Sequence, residues 1–374
     1  MSKQEQELMS LSLKLNTLHS MNKKILVGFD GFIDEVLHVV KTRSSDEKYE
    51  RMEYLIDYGN MIAESAGVSL NVEMVPIRKK LGGNGAICAN ALSALGAKVT
   101  FIGTCGYPEV KQEFIELQQN AEVISIGEPA YTNAIEFRDG KIISSKLENL
   151  REISWNRILE EIGTNQFIHL IEESTLIAFM NWTMIMSMSD MWEHILEDIL
   201  PHVKMRYRTK LFVDLADPSK RTRTDILHAI HLLEQFNTYF EVVLGINKKE
   251  AKILYSILIK NKEPDDITKL VEGLMKKIRI SKIVVHTAAN ACASDGTDLW
   301  QMKCPVCAVP KQTTGAGDNF NAGYMFGEIS GLSTKDALVL GIANAGYYVR
   351  NAKSATQSEV QRFLVEWSKE KTGS

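Results

Sequence analysis

Cysteine is scarce in this 374-residue chain: Cys88, Cys105, Cys292, Cys304 and Cys307 are the whole set. A small, odd number at this length argues against a disulfide framework and fits a reducing, cytoplasmic setting. Cys304 and Cys307 form one C-x-x-C, but no second cysteine pair follows and no histidine lies nearby. The pair reads as small residues at a strand end rather than as a zinc site. Basic surplus is also missing: 43 basic and 47 acidic residues give a net charge of −4, and no long block of like charge occurs. Nucleic acid is therefore not an expected partner. Long apolar runs are absent too. The least polar stretch, "STLIAFMNWTMIMSMS" from Ser174 to Ser189, is uncharged but carries Asn181 and Thr183 and is too short to span a bilayer. The opening "MSKQEQELMS" places Lys3, Glu5 and Glu7 where a signal peptide would be apolar. No membrane partner is expected.

What is present is ordinary for a soluble globular protein: 45% hydrophobic and 24% charged residues. Leu8, Leu11, Leu15 and Leu18 recur at spacings of three and four, which predicts an amphipathic helix over 5–21. Residues 1–22 read as an extension that packs on the body or on a second subunit, ahead of one large domain over 23–374. Strand-like runs lie at Ile25–Phe29, Lys98–Ile102, Phe167–Ile171, Leu211–Leu215, Val242–Gly245 and Lys282–His286. Between them, helical patterns cover Ile87–Leu95, Met191–Val203, Arg223–Phe236, Lys248–Lys260 and Ile267–Lys277. This alternation predicts an α/β fold with a mainly parallel sheet covered on both faces. Residues 35–55 and 121–148 break the rhythm and read as antiparallel strands of a small β lid, with "RDGK" at 138–141 as a hairpin turn.

The stretch "KQTTGAGDNFNAGY" at 311–324 carries the chemistry. Gly315, Ala316 and Gly317 sit where a helix begins. Glycine permits close approach of a ligand, and first-turn N–H groups lack intrahelical partners and carry partial positive charge. Such a turn is an anion hole suited to phosphate. An acid beside it, Asp318, is out of place in a site that only binds anions. It is in place if it accepts the proton of a hydroxyl that attacks phosphorus. A helix cap with a glycine turn is the competing reading. No P-loop pattern occurs, and "GAGDNF" and "GGNGAI" lack the third glycine of a dinucleotide-binding fingerprint.

At this point the residues resemble a known family. "TTGAGDNF" at 313–320 is similar to the C-terminal signature of the ribokinase-like carbohydrate kinases, the phosphofructokinase-B type. "LGGNGAICANALSALGA" at 81–97 resembles the N-terminal signature, "LFVDLADPSKR" at 211–221 the strand ending in Asp-Pro, and "GINKKEA" at 245–251 the Asn-x-x-Glu motif. The agreement in order and spacing runs from about residue 23 to 356. The resemblance implies a ribokinase-like three-layer sandwich with a lid, and ATP-dependent phosphorylation of a hydroxyl on a sugar, sugar derivative or nucleoside.

By motif match, Asp318 is the base and Gly315, Ala316 and Gly317 the anion hole. Asp34, then Asp30, with Gly82, Gly83 and Asn84, would hold the substrate. Asn247, Thr287, Gly296, Thr314 and Asn344 would line the ATP site. Glu250 and Asn247 would organise Mg2+ through water, although Asn-x-x-Glu before a helix is also a capping box. The family pattern also allows a monovalent cation and a homodimer through exposed lid edges. Three departures stand out: Gln312 where an acid or Asn is usual, Ile87 where the first signature carries Asn, and "HTAAN" in the nucleotide segment. They keep open a second reading, a catalytically weak sugar- or nucleotide-binding regulator on the same fold. The substrate stays open as well. A sugar phosphate would call for basic residues in the pocket, and Arg43, Lys79 and Lys80 are the candidates.

Overall fold

The computed structural model describes residues 2–17, 23–205, 208–259 and 261–370. Its strands in chain order are β1 (Lys24–Phe29), β2 (Phe32–Arg43), β3 (Tyr49–Arg51), β4 (Met74–Gly82), β5 (Lys98–Gly103), β6 (Glu122–Ser125) and β7 (Ala130–Glu136). There follow β8 (Lys141–Lys146), β9 (Leu176–Phe179), β10 (Lys210–Asp214), β11 (Glu241–Asn247), β12 (Lys282–His286), β13 (Asn290–Ser294) and β14 (Leu299–Lys303).

The main sheet has nine strands in the order β14-β13-β12-β11-β10-β9-β1-β5-β6. From β12 to β6 every pairing is parallel, and β13 and β14 add an antiparallel edge. Strands buried on both faces need apolar residues of both parities. Accordingly Ile177 and Phe179 of β9 pack into one core, and Leu176 and Ala178 into the other. The first core takes the helices Thr164–Glu173, Arg223–Phe236 and Ile267–Met275. The second takes Asn84–Ala94, Ala316–Ile329, Thr334–Asn351 and Gln357–Lys369. The N-terminal helix Lys3–Thr17 packs Leu8, Leu11 and Leu15 into this second core, and its Ser12 meets Gln361 of the C-terminal helix. Leu18 and the end of the helix predicted over 5–21 lie outside the described residues, as does Lys260.

The second sheet is the lid: β3-β2-β7-β8, with β4 paired to β2. It has a small core of its own, where Leu37, Val39, Ile135 and Phe137 pack against Tyr58 of the helix Leu55–Glu64. Several expectations need correction. Phe167–Ile171 is helix, not strand: Phe167 and Ile171 are buried four residues apart with only His169 exposed between them, and the central strand β9 lies further on. A short apolar run supports either period, and length alone did not arbitrate. In the segment 121–148, β6 belongs to the main sheet, where it pairs parallel with β5. Within the lid, β2 and β7 run parallel rather than antiparallel, and β4, not foreseen, supplies the longest lid pairing. The helix expected over Met191–Val203 is interrupted: an α-helix over Met188–His194 passes into a π turn, Ile195–Ile199, and then into the 3-10 turn Leu200–His202, which carries Pro201.

Phe179 stacks on Phe29 at 5.5 Å and on Trp192 at 6.3 Å, between the sheet and its helices. Phe179→Ala is expected to cost about 3–5 kcal/mol, read from the midpoint of urea unfolding with the slope unchanged.

Candidate active site

The strand order reverses around β1, whose neighbours are β9 on one side and β5 on the other. The crevice at the carboxyl ends of such strands is where α/β sheets bind ligands. Here the ends of β1, β9, β10, β11 and β12 deliver Asp30, Asn181, Asp214, Asn247 and His286, and two helices begin over them, Asn84–Ala94 and Ala316–Ile329.

Asp30 is fully buried. Its Oδ2 accepts from the Asn84 N–H at 2.9 Å and from Asn181 Nδ2 at 2.8 Å, and its Oδ1 from the Gly85 N–H at 2.7 Å. It therefore caps the helix that the glycine pair opens and lies beneath the pocket, which corrects its expected role as a substrate contact. Burial pushes its carboxyl up to about 6 against those three donors.

Asp34, four residues on, faces a cleft of about 260 Å³ together with Gly83, Asn84, Thr132, Asn181, Gly315 and Asp318. Its β2 register sets it opposite Lys80 of β4 and Thr132 of β7, and Lys80 Nζ lies 3.8 Å from Oδ2. Gly82 allows this: a Cβ there would collide with the Asp34 carboxylate. Gly83, at φ 91°, turns the chain into the helix whose first residue is Asn84. Burial raises the Asp34 carboxyl, and Lys80 opposes that rise.

Asn84 Nδ2 donates to Asp318 Oδ1 at 2.9 Å, so the two glycine signatures meet at one hydrogen bond. Asp318 occupies the third position of its helix, behind Gly315 at φ 92°. Ala316 N–H is taken by the Thr313 carbonyl, which leaves Gly317 and Asp318 to offer first-turn N–H groups. Burial, then the negative charge of Asp214, holds the Asp318 carboxyl well above its usual range, while the Asn84 hydrogen bond works the other way. A raised pKa makes a better proton acceptor near neutral pH.

The departures are all load-sharing parts of this frame. Gln312 Nε2 donates to the Tyr348 oxygen and to the Thr314 carbonyl, Tyr348 O–H donates to the same carbonyl at 2.9 Å, and Arg78 donates to Gln312 Oε1 at 3.3 Å. Ile87 fills the wall beside Gly315. His286 lies against Gly317 and meets the Phe320 ring at a tilt, centroids 4.8 Å apart, and burial pulls its imidazole down to about 4, so it is neutral at pH 7.

Asn247 and Glu250 form a reciprocal cap. Glu250 accepts from Asn247 N–H and Nδ2 at 2.9 and 2.6 Å, and its own N–H donates to Asn247 Oδ1 at 3.1 Å. Burial, then Asp214, pushes the Glu250 carboxyl up to about 9. Asp214 itself, held by Ala216 N–H at 2.6 Å and Asn321 Nδ2 at 2.7 Å, is pushed up to about 6 by burial.

Two expected nucleotide residues do not face this crevice. Gly296 sits in the β13–β14 turn, and because β13 runs back along β12, pairing Ser294 with Ile283, the turn lies at the opposite edge of the sheet. Asn344 is fully buried between helices, donating to the Asn319 carbonyl at 2.7 Å. Thr287 stays at the correct edge and shapes the β12–β13 turn by accepting from Ala289 and Asn290 N–H. Residues that motif reasoning missed are Asn181, Thr132, Arg78 and Lys141. Only Lys141 had a local signal, as the end of the "RDGK" turn.

This fold and site define a ribokinase-like carbohydrate kinase, a phosphotransferase. Solved structures share the fold: a carbohydrate kinase from Agrobacterium tumefaciens (TM-score 0.60, 19% identity, 91% of this chain and 97% of that one) and a ribokinase from Cryptococcus neoformans in complex with ADP (TM-score 0.61, 16% identity, 91% and 99%). A ribokinase from Arabidopsis thaliana complexed with ribose and ATP matches at TM-score 0.61 and 13% identity over 92% and 98%. The sequence profile of the prokaryotic ketohexokinase family matches residues 16–367, and the chain belongs to that family. It is 27% identical to a ketohexokinase of Haloferax volcanii, over 91% of this chain and 90% of that one.

Because the Asn84 donor lowers the Asp318 pKa, Asn84→Ala should raise it further. The acid limb of the kcat/KM–pH profile is then expected to move to higher pH, and an unmoved limb would count against contact between the two side chains.

Proposed function

We propose that this chain transfers the γ-phosphoryl group of ATP to a hydroxyl of a ketohexose. The observation that carries the reading is Asp318, buried, raised in pKa, and aimed with Asn84 into the cleft that Asp34 closes from the lid side. In the proposed mechanism Asp34 accepts hydrogen bonds from sugar hydroxyls, and Asp318 takes the proton of the attacking hydroxyl. The N–H groups of Gly317 and Asp318 face the charge on the transferred group. Thr314 and Thr287 border the phosphate path, and closing the lid over the cleft excludes water. Family membership supports the substrate class, and the raised Asp318 supports the kinase over a binding-only regulator.

Mg2+ would neutralise phosphate charge here: Asp214 and, after it, Asp217 add to the burial that raises the Glu250 carboxyl, a local negative potential that a hydrated divalent cation would offset. Both Glu250 oxygens are already engaged by Asn247, which favours contact through water. A monovalent cation fits less well near Gln312, whose Oε1 already accepts from the Arg78 guanidinium.

Asp318→Asn keeps the shape and removes the base. With Mg-ATP and fructose, a coupled ADP-release assay is expected to show kcat falling by about 100-fold or more, while calorimetry shows the sugar still bound. Unchanged turnover would refute the assignment.

A further inference from the structure

The peptide between Thr314 and Gly315 is the last link before the anion hole, and its carbonyl is held from two sides. Tyr348 O–H donates to it at 2.9 Å and Gln312 Nε2 at 3.1 Å. A carbonyl oxygen has two lone pairs, so both are taken. The other amide hydrogen of Gln312 goes to the Tyr348 oxygen at 2.5 Å, which closes a triangle of hydrogen bonds. Arg78 fixes which way the amide faces. A guanidinium has no acceptor, so the Gln312 atom 3.3 Å from it is the oxygen, and Nε2 is left for Thr314. Gln312 and Tyr348 are both buried. Burial, then the negative charge of Asp318, holds the Tyr348 phenol well above its usual range, so it stays an O–H donor.

A trans peptide is planar, and its N–H points opposite to its carbonyl. With the Thr314 carbonyl turned to Tyr348, the Gly315 N–H faces the other way, and no acceptor among the described residues takes it. Gly315 lines the cleft beside Asp318. A Cβ at Gly315 would lie 2.7 Å from the Tyr348 oxygen, so the phenol reaches the turn only beneath a glycine. The triangle also stands where a cation would be at home, at the C-terminal end of the helix Thr334–Asn351, whose dipole and carbonyl oxygens favour positive charge. Here the Val349 carbonyl accepts from Lys311 N–H at 2.8 Å and from Gln312 N–H at 3.4 Å instead.

We propose that Gln312 and Tyr348 are positioning residues: they orient the Thr314–Gly315 peptide so that its N–H joins those of Gly317 and Asp318 at the transferred phosphoryl group, and their donors occupy the oxygens that a monovalent cation would need. The turn then works without K+. This inference rests on phosphoryl transfer at Asp318 and holds for any acceptor sugar.

The test replaces K+ by tetramethylammonium, too large for a cage of carbonyl oxygens, at constant ionic strength. Turnover of Mg-ATP with fructose is read as ADP by chromatography. Thermal unfolding is followed in the same two salts and needs no turnover. Wild-type kcat and unfolding midpoint are expected to be the same in both. Tyr348→Phe keeps the ring and removes one donor. Its kcat should fall about tenfold, the worth of one hydrogen bond, with KM for fructose unchanged, because the N–H meets its charge only in the transfer. Gln312→Glu puts a carboxylate oxygen in place of Nε2, facing two other oxygens. Its kcat should fall in tetramethylammonium and recover in K+, with a rise in midpoint that the wild type lacks. A wild type that needs K+ overturns the proposal, as does Tyr348→Phe with full kcat or Gln312→Glu indifferent to K+. A wild type that does not turn over fructose, with the K+ response of the Gln312→Glu midpoint present, counts against the ketohexose reading and supports the brace.

Discussion

Four carboxylates buried at the carboxyl ends of adjacent strands and helices are the constraint on which this structure turns. Asp30, Asp214, Glu250 and Asp318 are each almost or wholly removed from water, and all four have raised pKa values with burial as the first cause. An isolated buried charge is expensive. The chain offsets that cost with N–H donors rather than with cations: helix-start amides and Asn84, Asn181, Asn247 and Asn321 side chains. Amide donors orient an oxygen without neutralising it. The negative charge therefore remains available to a proton or to a hydrated cation, which a salt-bridged carboxylate would not allow.

The lid answers this with the opposite charge. Its long strand β2 leaves the main sheet directly after Asp30 and holds Asp34 by pairing with β4 on one side and β7 on the other. A slip of β4 by one residue against β2 would send Arg78 and Lys80 to the outer face and part them from Asp34, because the side-chain period is two. The register is pinned at its end by Gly82, whose missing Cβ leaves room for the Asp34 carboxylate, and by Asp30 capping the helix that follows. One contact between strand end and helix start thus fixes both the scaffold and the position of the cations above it.

Legibility from sequence followed locality. The block Gly315–Asp318 could be read as a helix start with a reactive acid because cap, glycine and acid are neighbours in the chain. Arg223–Phe236 could be read to the residue, because Thr222 and Asp225 form a capping box ahead of a clear apolar stripe. What failed depended on three-dimensional direction. Gly296 was misplaced because a hairpin reverses course between His286 and Ser294, which composition does not announce. Asp30 and Asp34 are both buried acids after a strand, and only their partners in space separate the helix cap from the residue that lines the cleft. Arg78 was invisible because β4 pairs with β2 across the helix Leu55–Glu64, and no motif marks that crossing. The departures at Gln312 and Ile87 looked like lesions when taken one at a time. In place, Gln312 braces the Thr314 carbonyl with Tyr348, and Ile87 closes the wall beside Gly315.

The charge layout also explains why one site needs both halves. The body alone gathers negative charge at the carboxyl ends of its strands, which by itself repels an anionic ligand. The lid alone gathers cations that repel one another. Within the lid, Lys80 and Lys141 lie close enough to lower the Asp34 carboxyl against its burial, and Lys141 reaches Thr313 and Thr314 of the body. Arg78 donates to Gln312 and Lys141 to the two threonines, so the lid's cations meet the body through neutral hydrogen-bond partners. With water excluded these interactions strengthen, because the effective dielectric falls.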